Sequence, residues 1–227
     1  MNTTTRLFVF IAVIFAASSS FAQGPFTGKP QYQIEVRRAD TVMGKIIVEM
    51  FPAIAPNHVR NWDSLVNVHF YDSTAFHRVI PGFMIQGGDP NSRSGPKSTW
   101  GYGEDGQQTV DAEFSSLSHL RGILSAARAQ DINSATSQFF ICVGNPIYLD
   151  GQYSIYGHVV SGLNYVDSIV KSKRDSKDNP LVKISMFVTK IGSNDSVTAT
   201  PQLITPSAGT AIKADSAVMI WHRVSDA

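Results

Sequence analysis

The sequence predicts a mainly β fold: a closed antiparallel barrel of eight or so short strands with two helices and a C-terminal extension. Three observations lead there. Runs rich in β-branched and aromatic residues recur between Gly and Pro turn signals across residues 31–192. Only two stretches place apolar residues at helical spacing. Strands and helices do not alternate in the βαβ order of a doubly wound sheet, which leaves an antiparallel sheet closed on itself. The 227 residues, 43% hydrophobic and 16% charged, suffice for one globular core with extra segments. A net charge of +1 gives no electrostatic footprint for nucleic acid.

Residues 1–22 read as a signal peptide. Arg6 supplies a positive n-region, residues 7–17 an apolar core too short to span a bilayer, and Ser20-Phe21-Ala22 a small-x-small cleavage site before Gln23. No cysteine stands there for lipidation, and no later apolar run is long enough to cross a membrane. The mature product is therefore expected to be periplasmic or secreted, not inserted in a membrane, with residues 23–30 as a linker.

Tyr32 to Val36 and Lys45 to Met50 read as a first hairpin, with Gly44 as its turn signal. Pro56 can open a helix on which Val59, Trp62, Leu65 and Val66 form one stripe, with His58 and Asp63 elsewhere around it. The run Phe-His-Arg-Val-Ile-Pro-Gly-Phe-Met-Ile-Gln-Gly-Gly-Asp, Phe76 to Asp89, reads as a second hairpin about Pro81-Gly82. Alternation puts Phe76, Arg78 and Ile80 on one face of its first strand, and Met84 and Gln86 on one face of its second, opposite Phe83 and Ile85. Gly101 to Gly106 spells GxGxxG, but loop residues flank it on both sides, so a dinucleotide site is rejected in favour of a surface loop. Strands or strand-like segments follow at residues 122–127, 137–142, 153–159 and 181–191, and a helix at residues 163–170. Cys142, the one cysteine, cannot form an internal disulfide and is expected in the core.

The Phe76 to Asp89 run closely resembles the signature segment of the cyclophilin-type peptidyl-prolyl isomerases. Phe51-Pro52-x-x-Ala55-Pro56-x-x-Val59-x-Asn61-Trp62 resembles the family's first helix, with Trp62 where Phe is usual, and residues 122–129 and 137–142 match as well. The resemblance covers residues 31–192 and implies an eight-stranded barrel with a helix over each end. Its interior is filled by side chains, so the site must be a shallow groove on the outside. It further implies that Arg78 is the catalytic residue, donating hydrogen bonds near the prolyl nitrogen. Phe83, Met84, Phe140 and Leu149 would form the proline socket, with Tyr153 at the rim and Tyr148 further out. Gln86 and Gln138 would hold the peptide, Ala127, Arg128 and Ala129 would present backbone to it, and Gly95 is the candidate for a contacting glycine. Arg128 departs from the family's Asn, Tyr148 from Trp and Tyr153 from His. Weak cyclosporin binding is therefore expected, along with a monomeric protein whose partners are proline-containing polypeptides.

No metal, nucleophile or cofactor is required by that chemistry. The six histidines lack metal-ligand spacing, and His77 is expected to be a hydrogen-bonded structural residue. The competing class is a non-catalytic module that grips Pro-containing segments. Residues 193–227 are polar at first, then resemble the opening two strands of a fibronectin-type-III-like or other immunoglobulin-like repeat, truncated here; an unstructured tail is the alternative.

Overall fold

The computed structural model describes residues 28–194. The expected signal peptide and all but two residues of the expected C-terminal segment lie outside them. Eight antiparallel strands, β1 (Lys29–Arg38), β2 (Thr41–Met50), β3 (Arg78–Ile80), β4 (Met84–Gly87), β5 (Ile123–Ala126), β6 (Phe139–Cys142), β7 (Ile155–Ser161) and β8 (Ile184–Asn194), form one curled sheet in the order β3-β4-β6-β5-β7-β2-β1-β8. The residues just ahead of β3 reach its other edge: the Phe76 N–H donates to Ile184 O at 2.9 Å and the Met186 N–H to Thr74 O at 2.9 Å, around an Ala75–Ser185 bridge. That short bridge closes the curl into a barrel and leaves little edge to pair with other chains.

Period-two alternation fills the barrel. Tyr32, Ile34 and Val36 of β1, and Ile46, Val48 and Met50 of β2, are fully buried. The β1–β2 turn is at Ala39-Asp40, with Ala39 at a φ of 50°, and not at Gly44. Gly44 lies within β2, opposite Val36, because the Tyr165 ring packs on it: a Cβ there would sit 2.1 Å from the ring. β1 begins at Lys29 and β8 runs to Asn194, so the paired strands extend two residues beyond each expected domain edge.

Two helices cover the barrel, α1 (Pro56–Asn67) and α2 (Leu163–Val170). Val166, Ile169 and Val170 are the buried face of α2. In α1 the burial stripe is broader than the apolar one, since His58 and Asp63 are buried with Val59, Trp62 and Val66. Each has a polar reason to be inside. Asp63 accepts the Tyr32 hydroxyl at 2.5 Å and pairs with Lys190 at 2.9 Å. His58 serves the helix end: Ala55 at the N-cap has no side chain to offer, so Glu113, from a distant loop, accepts the N–H groups of Asn57 and His58 at 3.0 Å and meets His58 Nδ1 at 2.7 Å. A carboxylate at that place satisfies free amides and complements the helix dipole.

Candidate active site

Strand register assembles the site. Arg78 pairs with Gln86, Gln86 with Phe140, and Phe140 with Ser125, a single row across β3, β4, β6 and β5. The adjacent row, Val79–Ile85–Ile141–Leu124, points the other way and is fully buried in the barrel. Because successive side chains in a strand face opposite sides, burying the second row fixes the first on the outer face.

Strict alternation fails at both ends of the β3–β4 hairpin. Phe76 precedes β3, closes the barrel seam, and packs edge-on against Phe139 in the core instead of beside Arg78. Phe83 belongs to the turn ahead of β4, and so joins Met84 on the outer face. Met84, Phe140 and Cys142 make a small apolar cluster of their own, flanked by Ile80, Phe83, Leu149 and Tyr153. Cys142 is thus buried beneath the site and not within the barrel, and burial pushes its thiol up to about 12.

Over this cluster opens a socket of about 120 Å³ lined by Arg78, Phe83, Met84, Gln86, Ala127, Arg128, Phe140, Leu149 and Tyr153. All nine were expected from the sequence. A second hollow of about 230 Å³ continues from it past Gln86, Gln138, Ala127, Arg128 and Ala129 to Gly101 and Gly103. Tyr148 stands outside both, 65% exposed and tilted over Phe83 at 6.1 Å. Gly95 is in neither: it sits against Asn91, its carbonyl accepting the Trp100 indole N–H at 3.0 Å. Gly101 and Gly103 take that wall instead. Larger hollows of about 610 and 790 Å³ lie around Lys171 and Lys173, but there charged and apolar side chains only line an open surface, so size alone does not locate the chemistry.

The polar groups of the socket are unevenly satisfied. Gln86 Nε2 donates to Gln138 Oε1 at 3.0 Å, and Gln138 Nε2 to Gly101 O at 3.1 Å, tying two strands to the loop. Arg78 is half-buried, and among the described residues no hydrogen bond or ion pair engages its guanidinium. Arg128, by contrast, is held by four hydrogen bonds to three backbone carbonyls and lies 4.5 Å over the Tyr153 ring.

Three buried polar residues around the groove carry no signal that residue spacing alone reveals. Asp89, fully buried, accepts the Gly101 N–H at 2.7 Å and the Gly103 N–H at 3.1 Å, which holds the GxGxxG loop against the groove. Burial raises its carboxyl while those N–H groups pull it down, and burial prevails. His119, also fully buried, stacks on Phe140 at 6.0 Å and bridges Asp150 at 2.9 Å to Ser125 at 3.1 Å. This Ser–His–Asp array has the order of a hydrolytic triad, but Ser125 and His119 are wholly enclosed, so no substrate carbonyl can reach the hydroxyl. It braces Phe140 from behind. The Asp150 carboxyl is lowered by the backbone and ring of His119. His77, expected to be hydrogen-bonded, is buried with neither ring nitrogen in hydrogen-bond geometry to any described residue. Burial lowers it to about 4, against a smaller opposing pull from the Ala75 backbone.

No group of three or more His, Cys, Asp or Glu among the described residues could hold a metal ion. A small antiparallel barrel with an apolar socket, a free guanidinium and a groove running past it defines a protein that binds an extended peptide around a compact apolar residue. The sequence profile of the cyclophilin type peptidyl-prolyl cis-trans isomerase/CLD family matches residues 33–191, and the chain belongs to that family. It is 38% identical over 164 residues to a protein of Brucella suis named "probable peptidyl-prolyl cis-trans isomerase", covering 70% of this chain and 82% of that one. A peptidyl-prolyl cis-trans isomerase of Schizosaccharomyces pombe is 40% identical over 148 residues, 65% of this chain and 92% of the other. Among solved structures, a cyclophilin type isomerase of Cryptosporidium parvum superposes with a TM-score of 0.62 at 28% identity, covering 73% of this chain and 99% of its own. The same protein crystallised in the presence of the dipeptide Ala-Pro gives 0.61, at 28% identity over 72% of this chain and 99% of its own.

Proposed function

We propose that this chain accelerates X-Pro isomerisation in exported polypeptides without covalent chemistry, with Arg78 as the catalytic residue. The carrying observation is an unengaged guanidinium beside an apolar socket of proline dimensions, formed by Phe83, Met84, Phe140 and Leu149. The X-Pro bond crosses a rotational barrier of about 18–20 kcal/mol and turns over unaided in ~10–100 s. Twisting breaks amide resonance and leaves a pyramidal prolyl nitrogen with a free lone pair, a better hydrogen-bond acceptor than the planar amide. A donor aimed there stabilises the twisted state more than either ground state, which is the condition for catalysis. Arg suits the task, since its fork is permanently charged and fixed in geometry. Lowering the barrier by roughly 7 kcal/mol corresponds to ~10⁵-fold acceleration.

The N-terminal segment supports export: its positive start, short apolar run and Ser20-Phe21-Ala22 site have the parts of a cleaved signal. The role that follows is assistance to exported clients, whose folding is slowed by prolyl isomerisation. Tyr148 in place of the family's Trp supports weak cyclosporin binding. Protease-free exchange NMR on an Ala-Pro peptide tests the catalytic reading. Exchange that speeds up with added protein supports it; line shifts from binding with unchanged exchange would identify a module that grips proline without turning it over.

A further inference from the structure

Resting on that isomerase reading, we infer that Arg128 makes this groove selective for prolines flanked by acidic residues. Arg128, with Gln86 and Ala127, lines both the socket and the second hollow and is the one charged residue of the three, so a peptide leading from one to the other passes it. Its guanidinium is fixed and not swinging in solvent. Nε and Nη2 donate to Gln152 O at 3.3 and 3.0 Å, and Nη1 donates to Ala129 O at 2.9 Å and Gln130 O at 3.2 Å. The plane rests on Tyr153, which in turn meets Phe140 edge-on at 5.9 Å, so the cation is built onto the socket wall.

These bonds engage four of the five N–H donors a guanidinium carries, and all of the acceptors are neutral. Among the described residues one Nη2 hydrogen is left over, and no carboxylate pairs with the charge. Arg78, the other cation of the socket, is likewise unpaired among the described residues, none of which brings an Asp or Glu to the socket. The only carboxylate that the described residues place on the second hollow is the exposed Glu104. A neutral flanking side chain gains no ion pair here, whereas a carboxylate gains one charge-assisted hydrogen bond from the remaining Nη2 hydrogen and an ion pair with a pre-ordered cation. Because the cation is already immobilised, little side-chain entropy is lost when the pair forms.

The test compares Ala-Glu-Pro-Glu and Ala-Gln-Pro-Gln peptides by exchange NMR with the full chain, Arg128→Gln and Arg128→Lys, in dilute buffer and in ~0.5 M salt. A wild-type kcat/KM about five- to tenfold higher for the Glu peptide is expected, as ~1 kcal/mol or slightly more from one partly desolvated pair. The ratio should fall towards one in Arg128→Gln and in salt, and be partly kept in Arg128→Lys. A wild-type ratio of one or less, or an unchanged ratio in Arg128→Gln, overturns the inference. If neither peptide nor a plain Ala-Pro control is accelerated, it is the isomerase reading that fails. The same Glu-to-Gln comparison, read from binding shifts, then still decides the role of Arg128.

Discussion

Asp89 holds Gly101: the buried carboxylate accepts the Gly101 amide at 2.7 Å, so the last residue of the hairpin run governs a loop twelve positions further along the chain. The second oxygen takes Gly103 in the same way. Asp89→Asn keeps one carbonyl acceptor but turns an amide NH₂ towards a backbone N–H. A loss of about 1–3 kcal/mol is expected, with a raised KM and a nearly unchanged kcat on prolyl peptides, because the loop walls the second hollow and not the socket. Urea unfolding and peptide kinetics check both halves.

His77 gives the protein a defined acid sensitivity. In the folded state it is held down to about 4 from an ordinary 6.5, so between these values the unfolded chain binds a proton that the native chain refuses. A depressed imidazole is stabilising only while neutral; its contribution is complete above the unfolded value and is lost as the pH falls to the folded one. A loss of about 3 kcal/mol between pH 7 and pH 4 is expected from this residue. His77→Met removes the titration, and its stability should fall by correspondingly less over that range in guanidinium unfolding. Parallel pH curves would show that His77 accepts a proton in the folded protein.

Trp62 anchors the core, with Tyr32, Tyr71, Phe139 and Tyr156 around it, yet its indole N–H is buried without a hydrogen-bond partner among the described residues. Trp62→Phe removes both the stranded donor, at a gain of about 1–3 kcal/mol, and some packed volume, at a cost of similar size. The urea midpoint should move little. Trp62→Ala leaves only the cavity and should cost about 3–5 kcal/mol.

The barrel was legible wherever one face of an element is apolar. Tyr32, Ile34 and Val36 announce β1, and the spacing of Val166, Ile169 and Val170 predicts α2. The nine socket residues followed from the resemblance of Phe76 to Asp89 and its companion segments, not from periodicity. Periodicity misplaced Phe76 and Phe83, because both sit at the hairpin's ends where the strand has stopped. It also put the first turn at Gly44, where glycine serves a close approach by Tyr165 and not a reversal. Asp89, Glu113 and His119 act through hydrogen bonds to Gly101, Asn57 and Asp150, 12 to 56 residues distant in sequence. Such polar pairings leave no local pattern, and neither did the exchange of Gly95 for Gly101 and Gly103 on the groove wall.

The role of Arg78 is tested most directly by its removal. The kcat/KM for cis-to-trans isomerisation of an Ala-Pro peptide should drop by at least ~10²-fold in Arg78→Ala, about 3 kcal/mol of transition-state stabilisation. Peptide affinity should change far less, since the apolar socket remains, and Arg78→Lys should restore only part of the rate because it lacks the fixed fork. An Arg78→Ala protein that is folded, binds the peptide and isomerises it at the wild-type rate would contradict the mechanism.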